Sequence, residues 1–575
     1  MEKIIIRNLT FEYPLGENPA LVDINMDIKN EELILVCGKS GCGKSTLLRH
    51  MKKSLTPYGE RSGEILYEGR CLKDLSDRED AEKIGFVQQN PDDQLVTDKV
   101  WHELAFGMEN LGLANELIKK RVAETASYFG IQNYFRKDVR ELSGGQKQLL
   151  NLASVVAMKP DIIIMDEPTS LLDPVAAESF LTTVKKINRD MGITIVISEH
   201  RLEEIFPMAD RVLVMDKGKI ITSGKPSEVA HSLLTYNGGT PHPMYYGMPA
   251  LMRMFRTECD KDKVLPLTMR EAKWKIRRLV EDSVLASSVE ENNINKTLAE
   301  HMGKSIKGES TEEKRELEGK NWSKEESALT CKNVSFRYEE NSSYVLENLN
   351  LKIPKSCIYA LLGPNGSGKT TLLKLLCALK KADRGKIKIA KGSKIAMAPQ
   401  NPEALFSEIS VEEEMLDGAC FLDISLEEKV KKTEEMLRLM EIEHLALSNP
   451  HDISGGEKQR LAIGKILMTA PDIILLDEPT KGLDPFFKRS LGYLLRNLTY
   501  RGVSVLMTSH DIEFCAEYAD ICGLMFDREI MAESDSRTFF KFNDFYTTVA
   551  NKLTREWKSD ILTVEEAAAW LQKLE

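Results

Sequence analysis

Gly38-Lys39-Ser40-Gly41-Cys42-Gly43-Lys44-Ser45 returns later in the chain as Gly363-Pro364-Asn365-Gly366-Ser367-Gly368-Lys369-Thr370. Each stretch follows a short apolar run, Leu33 to Val36 or Ile358 to Leu362, and precedes sequence that reads as helix. In a GxxxxGK[ST] pattern the glycines let backbone N–H groups turn inward around phosphate oxygens. The helix N-terminus beyond adds ~+0.5 of an elementary charge. Lys44 and Lys369 would bridge β- and γ-phosphates, and Ser45 and Thr370 would offer a hydroxyl to Mg²⁺. The candidate phosphate sites run on to Thr46 and Thr371.

The match does not stop at the loops. Val87-Gln88-Gln89-Asn90-Pro91 returns as Ala398-Pro399-Gln400-Asn401-Pro402, and Leu142-Ser143-Gly144-Gly145-Gln146 as Ile453-Ser454-Gly455-Gly456-Glu457. DIIIMDEP (161–168) returns as DIILLDEP (472–479), and His200 as His510. The offset is 325 for the lysines (369 − 44), 311 for the glutamines, serines and DEP glutamates, and 310 for the histidines. One domain is written twice, and only the stretch between lysine and glutamine has changed length, by 14 residues (325 − 311).

Further apolar runs, Ile162 to Met165, Thr194 to Ile197, Ile473 to Leu476 and Ser504 to Met507, read as strands of a parallel sheet covered on both faces. Val100 to Gly130 and Leu422 to Met440 read as amphipathic helices, so each copy is α/β with an inserted helical subdomain. Thr268-Met269-Arg270-Glu271 and Thr563-Val564-Glu565-Glu566 are capping-box patterns that open a helix in a tail after each copy. Between the first tail and the second copy, Val289 to Glu326 carries 7 Lys/Arg and 10 Asp/Glu, the composition of a solvated linker. The expected division is 1–230 for the first domain, 231–288 for its extension, 289–327 for the linker, 328–535 for the second domain and 536–575 for its extension.

Asp166-Glu167 and Asp477-Glu478 end hydrophobic strands. Adjacent acids repel unless a cation or a water separates their roles. Asp166 and Asp477 would hold the Mg²⁺ shell, and Glu167 and Glu478 would polarise an attacking water. Ser143-Gly144-Gly145 and Ser454-Gly455-Gly456 offer a hydroxyl and free N–H groups at a helix start, which suits an anion site or an ordinary cap equally. Cys42 inside the first loop reads either as a small space-filler or as a thiol touching the phosphate site.

Composition narrows the partners. The chain has 575 residues, 42% hydrophobic and 29% charged, with Lys+Arg 78 against Asp+Glu 89 and a net charge of −11. Phosphate-binding surfaces of nucleic-acid proteins need a basic excess, so nucleic acid is not an expected partner. No run of ~18 apolar residues is long enough to span a bilayer. The opening Met1-Glu2-Lys3-Ile4-Ile5-Ile6 is not a secretory signal. Ten cysteines without a CxxC pair read as reduced thiols, and the expectation is a cytosolic, multidomain protein.

The order P-loop, loop glutamine, SGGQ or SGGE, DEPT, LDP, histidine resembles the ATP-binding-cassette (ABC) ATPases across nearly all of both copies. The resemblance implies that two cassettes pack head to tail within this chain, with each ATP between one P-loop and the opposite signature. One composite site would join Lys44, Ser45, Gln89, Asp166, Glu167 and His200 to Ser454-Gly455-Gly456. The other would join Lys369, Thr370, Gln400, Asp477, Glu478 and His510 to Ser143-Gly144-Gly145. It also implies ATP and Mg²⁺ as cofactors, with Gln89 and Gln400 sensing the metal. Asp173 and Asp484 become D-loop residues, His200 and His510 γ-phosphate contacts, and Tyr13 and Tyr338 adenine-stacking rings, with a core tyrosine as the rival reading. Leu149 departs from the pattern where the second copy keeps Arg460, and Asp527-Arg528-Glu529 replaces the hairpin turn Asp216-Lys217-Gly218.

Gln89 to Val96, Phe106 to Gly112 and Ser198-Glu199-His200-Arg201 are similar to the energy-coupling-factor ATPases that drive vitamin and metal-ion uptake. That resemblance implies a transmembrane coupling subunit and a substrate-capture membrane subunit as partners, at the cytoplasmic face of the membrane. Asp92, Asp93 and Glu403 would then be partners for an arginine of a coupling helix, or else solvated loop acids. The alternatives are a tandem sugar-importer ATPase and a twin-cassette translation factor; the latter needs a basic linker, and this one is net −3 (7 − 10).

Overall fold

The computed structural model describes residues 2–14, 18–236, 240–256, 265–282, 326–340 and 342–574. The linker expected over 289–327 lies outside them, apart from Glu326 and Ser327. Packing divides the chain into two compact units, and neither is one copy of the repeat. The first holds 1–249, 401–469 and 478–491, and the second holds 250–400, 470–477 and 492–575.

In the first unit the six-stranded sheet runs Lys219–Gly224, Arg211–Asp216, Leu33–Gly38, Thr194–Ser198, Ile162–Asp166, Ile84–Val87. All pairs are parallel except the outermost, Lys219–Gly224 with Arg211–Asp216. Leu33–Gly38, Ile162–Asp166 and Thr194–Ser198 are buried along their whole length, as near-continuous Ile, Leu and Val runs require. A second, antiparallel sheet joins Leu21–Lys29, Glu2–Glu12, Glu60–Tyr67 and Arg70–Cys71. Its inward residues Ile4, Ile6, Leu9 and Phe11 form one core with Leu47, Leu48 and Met51 behind the P-loop.

The stretch Val100 to Gly130 forms two helices, Val100–Asn110 and Asn115–Tyr128, broken where Gly112 takes a left-handed φ of 68°. The second copy places Val411–Gly418 before Leu426–Leu439, and Ser425 caps the latter with a capping box.

The second unit repeats the plan. Ile395–Ala398, Ile473–Asp477, Ser504–Thr508, Ile358–Leu362, Ile521–Phe526 and Glu529–Asp535 form its six-stranded sheet, antiparallel only at the last pair. It also holds the second copy's tail and the first copy's tail from Ala250 on. Thr563 and Glu566 complete their capping box, and Thr268 and Glu271 exchange the same pair of bonds at 3.2 and 3.3 Å. Lys273 and Arg277 of the first tail both reach Glu556 of the second.

The hairpin after the fifth strand is kept in the second copy, where the sequence suggested its loss. Phe526 pairs with Glu529 around a two-residue turn, and Asp527 and Arg528 adopt φ of 46° and 74°. Arg528 occupies the left-handed position that Gly218 fills in the first copy, at φ 75°. Its guanidinium bonds Glu347 at 3.2 Å, which offsets part of the backbone strain.

Candidate nucleotide-binding and hydrolysis site

Each P-loop connects a buried strand to a helix, Lys44–His50 or Lys369–Leu376. The residue before each helix, Gly43 or Gly368, sits at φ 100° or 104°. A Cβ on Gly43 would lie 2.4 Å from the Ala20 carbonyl oxygen, so both conformation and space demand glycine. Lys44, 4% exposed, donates to the carbonyls of Gly38 and Lys39 at 3.1 and 3.0 Å. Lys369 repeats this with Gly363 and Pro364 at 2.8 and 3.0 Å. The ammonium is thus held across the mouth of the loop, where three donors can exchange carbonyls for phosphate oxygens.

Cys42 is 4% exposed and fills the underside of the loop next to Gly38. Burial pushes its thiol up, so the space-filling reading holds and an activated thiolate does not.

In the first unit the strand Ile162–Asp166 delivers its acids to the P-loop. Asp166 accepts from Ser45 Oγ at 3.0 Å and from Ser198 Oγ at 2.8 Å. Burial first, and the neighbouring Glu167 charge second, raise the Asp166 carboxyl. Glu167 stands 2.7 Å from His200 Nε2 and 3.7 Å from Lys44 Nζ, and it accepts from Gln89 Nε2 at 3.1 Å. Burial alone would raise this acid; His200 and then Lys44 overcome it and hold the carboxyl at about 2. The P-loop lysine, the loop glutamine, the strand acids and the histidine therefore converge on one point.

In the second unit Asp477 is 1% exposed and accepts from Thr508 Oγ1 at 2.7 Å through Oδ1, while its buried Oδ2 has no hydrogen-bond partner. An unsatisfied buried carboxylate oxygen beside a P-loop fits a divalent cation or its water shell. His510 Nε2 lies 2.9 Å from Asn365 Oδ1 and 3.4 Å from Lys369 Nζ. Glu167 and Glu478 both take a left-handed φ, 44° and 54°, which the sequence did not reveal. Such strain in non-glycine residues gathers at functional positions.

Tyr13 and Tyr338 are 37% and 54% exposed, so neither is a core tyrosine. Each meets the P-loop helix through Thr46 or Thr371 Oγ1 at 3.1 Å. Phe11 and Phe336 hold them edge-on, with ring centres 4.8 and 5.1 Å apart.

Ser143 and Ser454 do act as helix caps, each with a complete capping box, for Gly144–Ala157 and Gly455–Met468. For Ser454 the surroundings add more, because the first unit contains both this turn and the first P-loop. A Cβ on Gly456 would lie 3.9 Å from Ser40 Oγ, and one on Gly41 would lie 3.9 Å from Glu457 Oε1. Ser40 N–H donates to Asp484 Oδ2 at 3.4 Å. The P-loop of one copy thus faces the signature and D-loop of the other.

Asp92 is exposed and Glu403 partly so, and each is paired with a lysine of the chain itself. Lys147 of the first signature helix bonds Asp92 at 2.6 Å, and Lys458 of the second bonds Glu403 at 2.5 Å. Gln148 adds a bond to the Gln88 carbonyl at 3.1 Å, and Asn151 one to Gln94 at 2.9 Å. The glutamine loop and the signature helix are thereby stitched together. The offset of 311 between the lysines, and between the acids, was the available signal. Among the described residues no helix is long and apolar enough to cross a membrane, and no group of three His, Cys, Asp or Glu could hold a metal alone.

The ABC transporter family model matches residues 21–170 and 346–481. A Bacillus cereus protein described as an ABC transporter ATP-binding protein is 38% identical over 572 residues, covering 98% of this chain and 96% of its own. One from Methanosarcina mazei, described alike, is 33% identical and covers 93% and 89%. Among solved structures, cbiO1 from Clostridium perfringens, part of the ABC transporter complex cbiONQ, is 32% identical over 41% of this chain and 96% of that one, with a TM-score of 0.37. The archaeal ribosome recycling factor aABCE1 shares the fold at 18% identity and a TM-score of 0.56, over 93% of this chain and 91% of that one. A chain that carries two such P-loops and matches these relatives almost end to end belongs to the ABC transporter ATP-binding proteins, whose cassettes bind and hydrolyse ATP.

Proposed function

We propose that this chain energises a membrane importer of the energy-coupling-factor type, carrying a vitamin or metal ion, by hydrolysing ATP at two composite sites. At the first, Lys44 and the loop N–H groups bind the β- and γ-phosphates, Glu167 orients the attacking water, and His200 contacts the γ-phosphate. Ser454-Gly455-Gly456 closes the phosphate from the other side. The second combines Lys369, Glu478 and His510 with Ser143-Gly144-Gly145. Mg²⁺ would be held by Ser45, Gln89 and Asp166, and by Thr370, Gln400 and Asp477, where it neutralises phosphate charge. Tyr13 and Tyr338 carry the adenines, and Asp173 and Asp484 link the sites.

The observation that carries the transport reading is a cleft of about 580 Å³ between the catalytic core and the helical subdomain of the first copy. Ala81, Phe86, Gly107 and Leu111 line it beside Gln88 and Gln94. The next residue, Gln89, touches Glu167, so a segment seated in the cleft presses on the hydrolytic centre through one loop. The resemblance of residues 89–96, 106–112 and 198–201 to the coupling-factor group supports a transmembrane coupling subunit as that occupant, with a substrate-capture subunit beside it.

Ala81→Trp places a large ring at the exposed rim of the cleft, outside the ATP site. Tagged chain drawn from detergent-solubilised membranes should bring multi-span proteins with it, and the Ala81→Trp chain should lose them while still hydrolysing ATP. Retention of those proteins by the variant rejects the cleft, and co-sedimentation with ribosomes in their place rejects the importer reading.

A further inference from the structure

The two copies keep the P-loop lysine, the loop glutamine, the strand acids and the histidine but differ around the D-loops. Asp484 is 3% exposed, and Arg460 of the signature helix donates to its Oδ2 at 3.1 Å. The same guanidinium reaches Glu441 at 3.4 Å and lies over the Phe487 ring at 4.1 Å. Asp484 also accepts from the Phe486 and Phe487 N–H groups at 3.0 Å and from Ser40 N–H at 3.4 Å. Lys39 of that P-loop lies over the Phe486 ring at 4.6 Å. A buried arginine therefore fixes an aspartate that grips the opposing P-loop, and a lysine of that P-loop grips back.

The repeat offsets show what the other copy offers in these places. Arg460 corresponds to Leu149 (460 − 311), Phe486 to Val175, Phe487 to Ala176, and Lys39 to Pro364 (39 + 325). None of these four can form an ion pair or a cation–ring contact. Asp173 is less buried than Asp484, and Val175 is 77% exposed. Four substitutions removing one cooperating set go beyond scattered drift, because a lone Phe or a lone Lys would keep no partner.

We propose that Arg460 is a positioning residue that locks the second D-loop onto the first P-loop, making the Lys44/Glu167 site the pre-closed member of an unequal pair. The Lys369/Glu478 site has leucine, valine, alanine and proline where the four residues of this lock stand. The inference rests on the reading that each ATP lies between one copy's P-loop and the other's signature. Loss of Arg460 leaves Asp484 a buried anion with its main cation gone, a strongly unfavourable arrangement that the loop relieves by moving away.

The test compares Arg460→Leu, Arg460→Lys and the parent chain by two readouts. In hydrogen exchange followed by mass spectrometry, Arg460→Leu should speed exchange about tenfold in peptides covering 38–44 and 482–487, without matching change in 363–369 and 171–176. Turnover is then read in two backgrounds. Glu478→Gln leaves the Lys44/Glu167 site working, and Glu167→Gln leaves the other. Arg460→Leu should cost about tenfold more kcat in the first background than in the second, with KM for ATP moving less, and Arg460→Lys should recover part of it. Uniform exchange across both loops, or equal kcat losses in both backgrounds, overturns the proposal. Should either single Gln variant abolish turnover outright, the two-site reading fails on that result, while the exchange comparison still decides this one.

Discussion

Replacing Glu167 with glutamine should weaken turnover and strengthen nucleotide binding together. The carboxylate occupies His200 at 2.7 Å, Lys44 at 3.7 Å and Gln89 at 3.1 Å, the groups a γ-phosphate must recruit. Those neighbours bring the acid from 4.5 to about 2, which at about 1.4 kcal/mol per pKa unit favours the anion by about 3 kcal/mol. An incoming phosphate competes for part of that. Glutamine keeps the shape without the charge, so affinity should rise about fivefold, with about 3 kcal/mol as the upper bound. Loss of the group that polarises water should lower turnover at this site by roughly 10²–10⁴. The assay is phosphate release at saturating Mg-ATP in a Glu478→Gln background, beside titration with a fluorescent ATP analogue. Weaker binding, or turnover above about a third of the parent, would refute the assignment of Glu167 as both anion partner and base.

Other consequences follow from single residues. Glu199 is 2% exposed, and burial first and foremost pushes it up to about 7, although it accepts the Thr169 N–H at 3.0 Å. A raised acid protonates in the folded state first, so its cost is absent below pH 4.5, grows between pH 4.5 and 7, and is complete above. Glu199→Gln should therefore raise thermal stability at pH 8, by about 1–3 kcal/mol, and leave it unchanged at pH 4.5; equal shifts at both would show another cause. Cys420 is exposed and Cys42 buried, so iodoacetamide mapped by mass spectrometry should modify Cys420 at least about tenfold faster, and comparable rates would reopen the reactive reading of Cys42. Arg528→Gly should relieve a left-handed arginine worth about 1 kcal/mol while losing an exposed ion pair worth less, so the melting temperature should hold or rise slightly. A fall of several degrees would mean that the Glu347 contact dominates.

Much of this was legible because it is written locally and written twice. Ile162 to Met165 and Ile473 to Leu476 are unbroken apolar runs that suit a doubly covered strand, and both are interior strands buried along their length. The P-loop glycines and the Thr563 cap belong to short patterns of fixed spacing, so spacing alone exposes them. What stayed hidden depends on distant partners. Nothing in sequence joins Lys39 to Phe486 until the chain folds. The association of 401–469 with the first copy's residues is likewise a packing result with no local pattern. The hairpin at Asp527-Arg528 is hidden in sequence because no glycine marks it, and the strand pairing there tolerates a strained arginine.

The central claim, that one copy's P-loop meets the other's signature, is tested most directly by a disulfide. A Cβ at Gly456 would stand 3.9 Å from Ser40 Oγ, within reach of bridge geometry. The chain carrying Ser40→Cys and Gly456→Cys, treated with mild oxidant and digested, should yield the peptide pair joining these positions in high proportion. Failure to join them, with efficient joining of Ser40→Cys to Gly145→Cys in a parallel variant, would contradict the account.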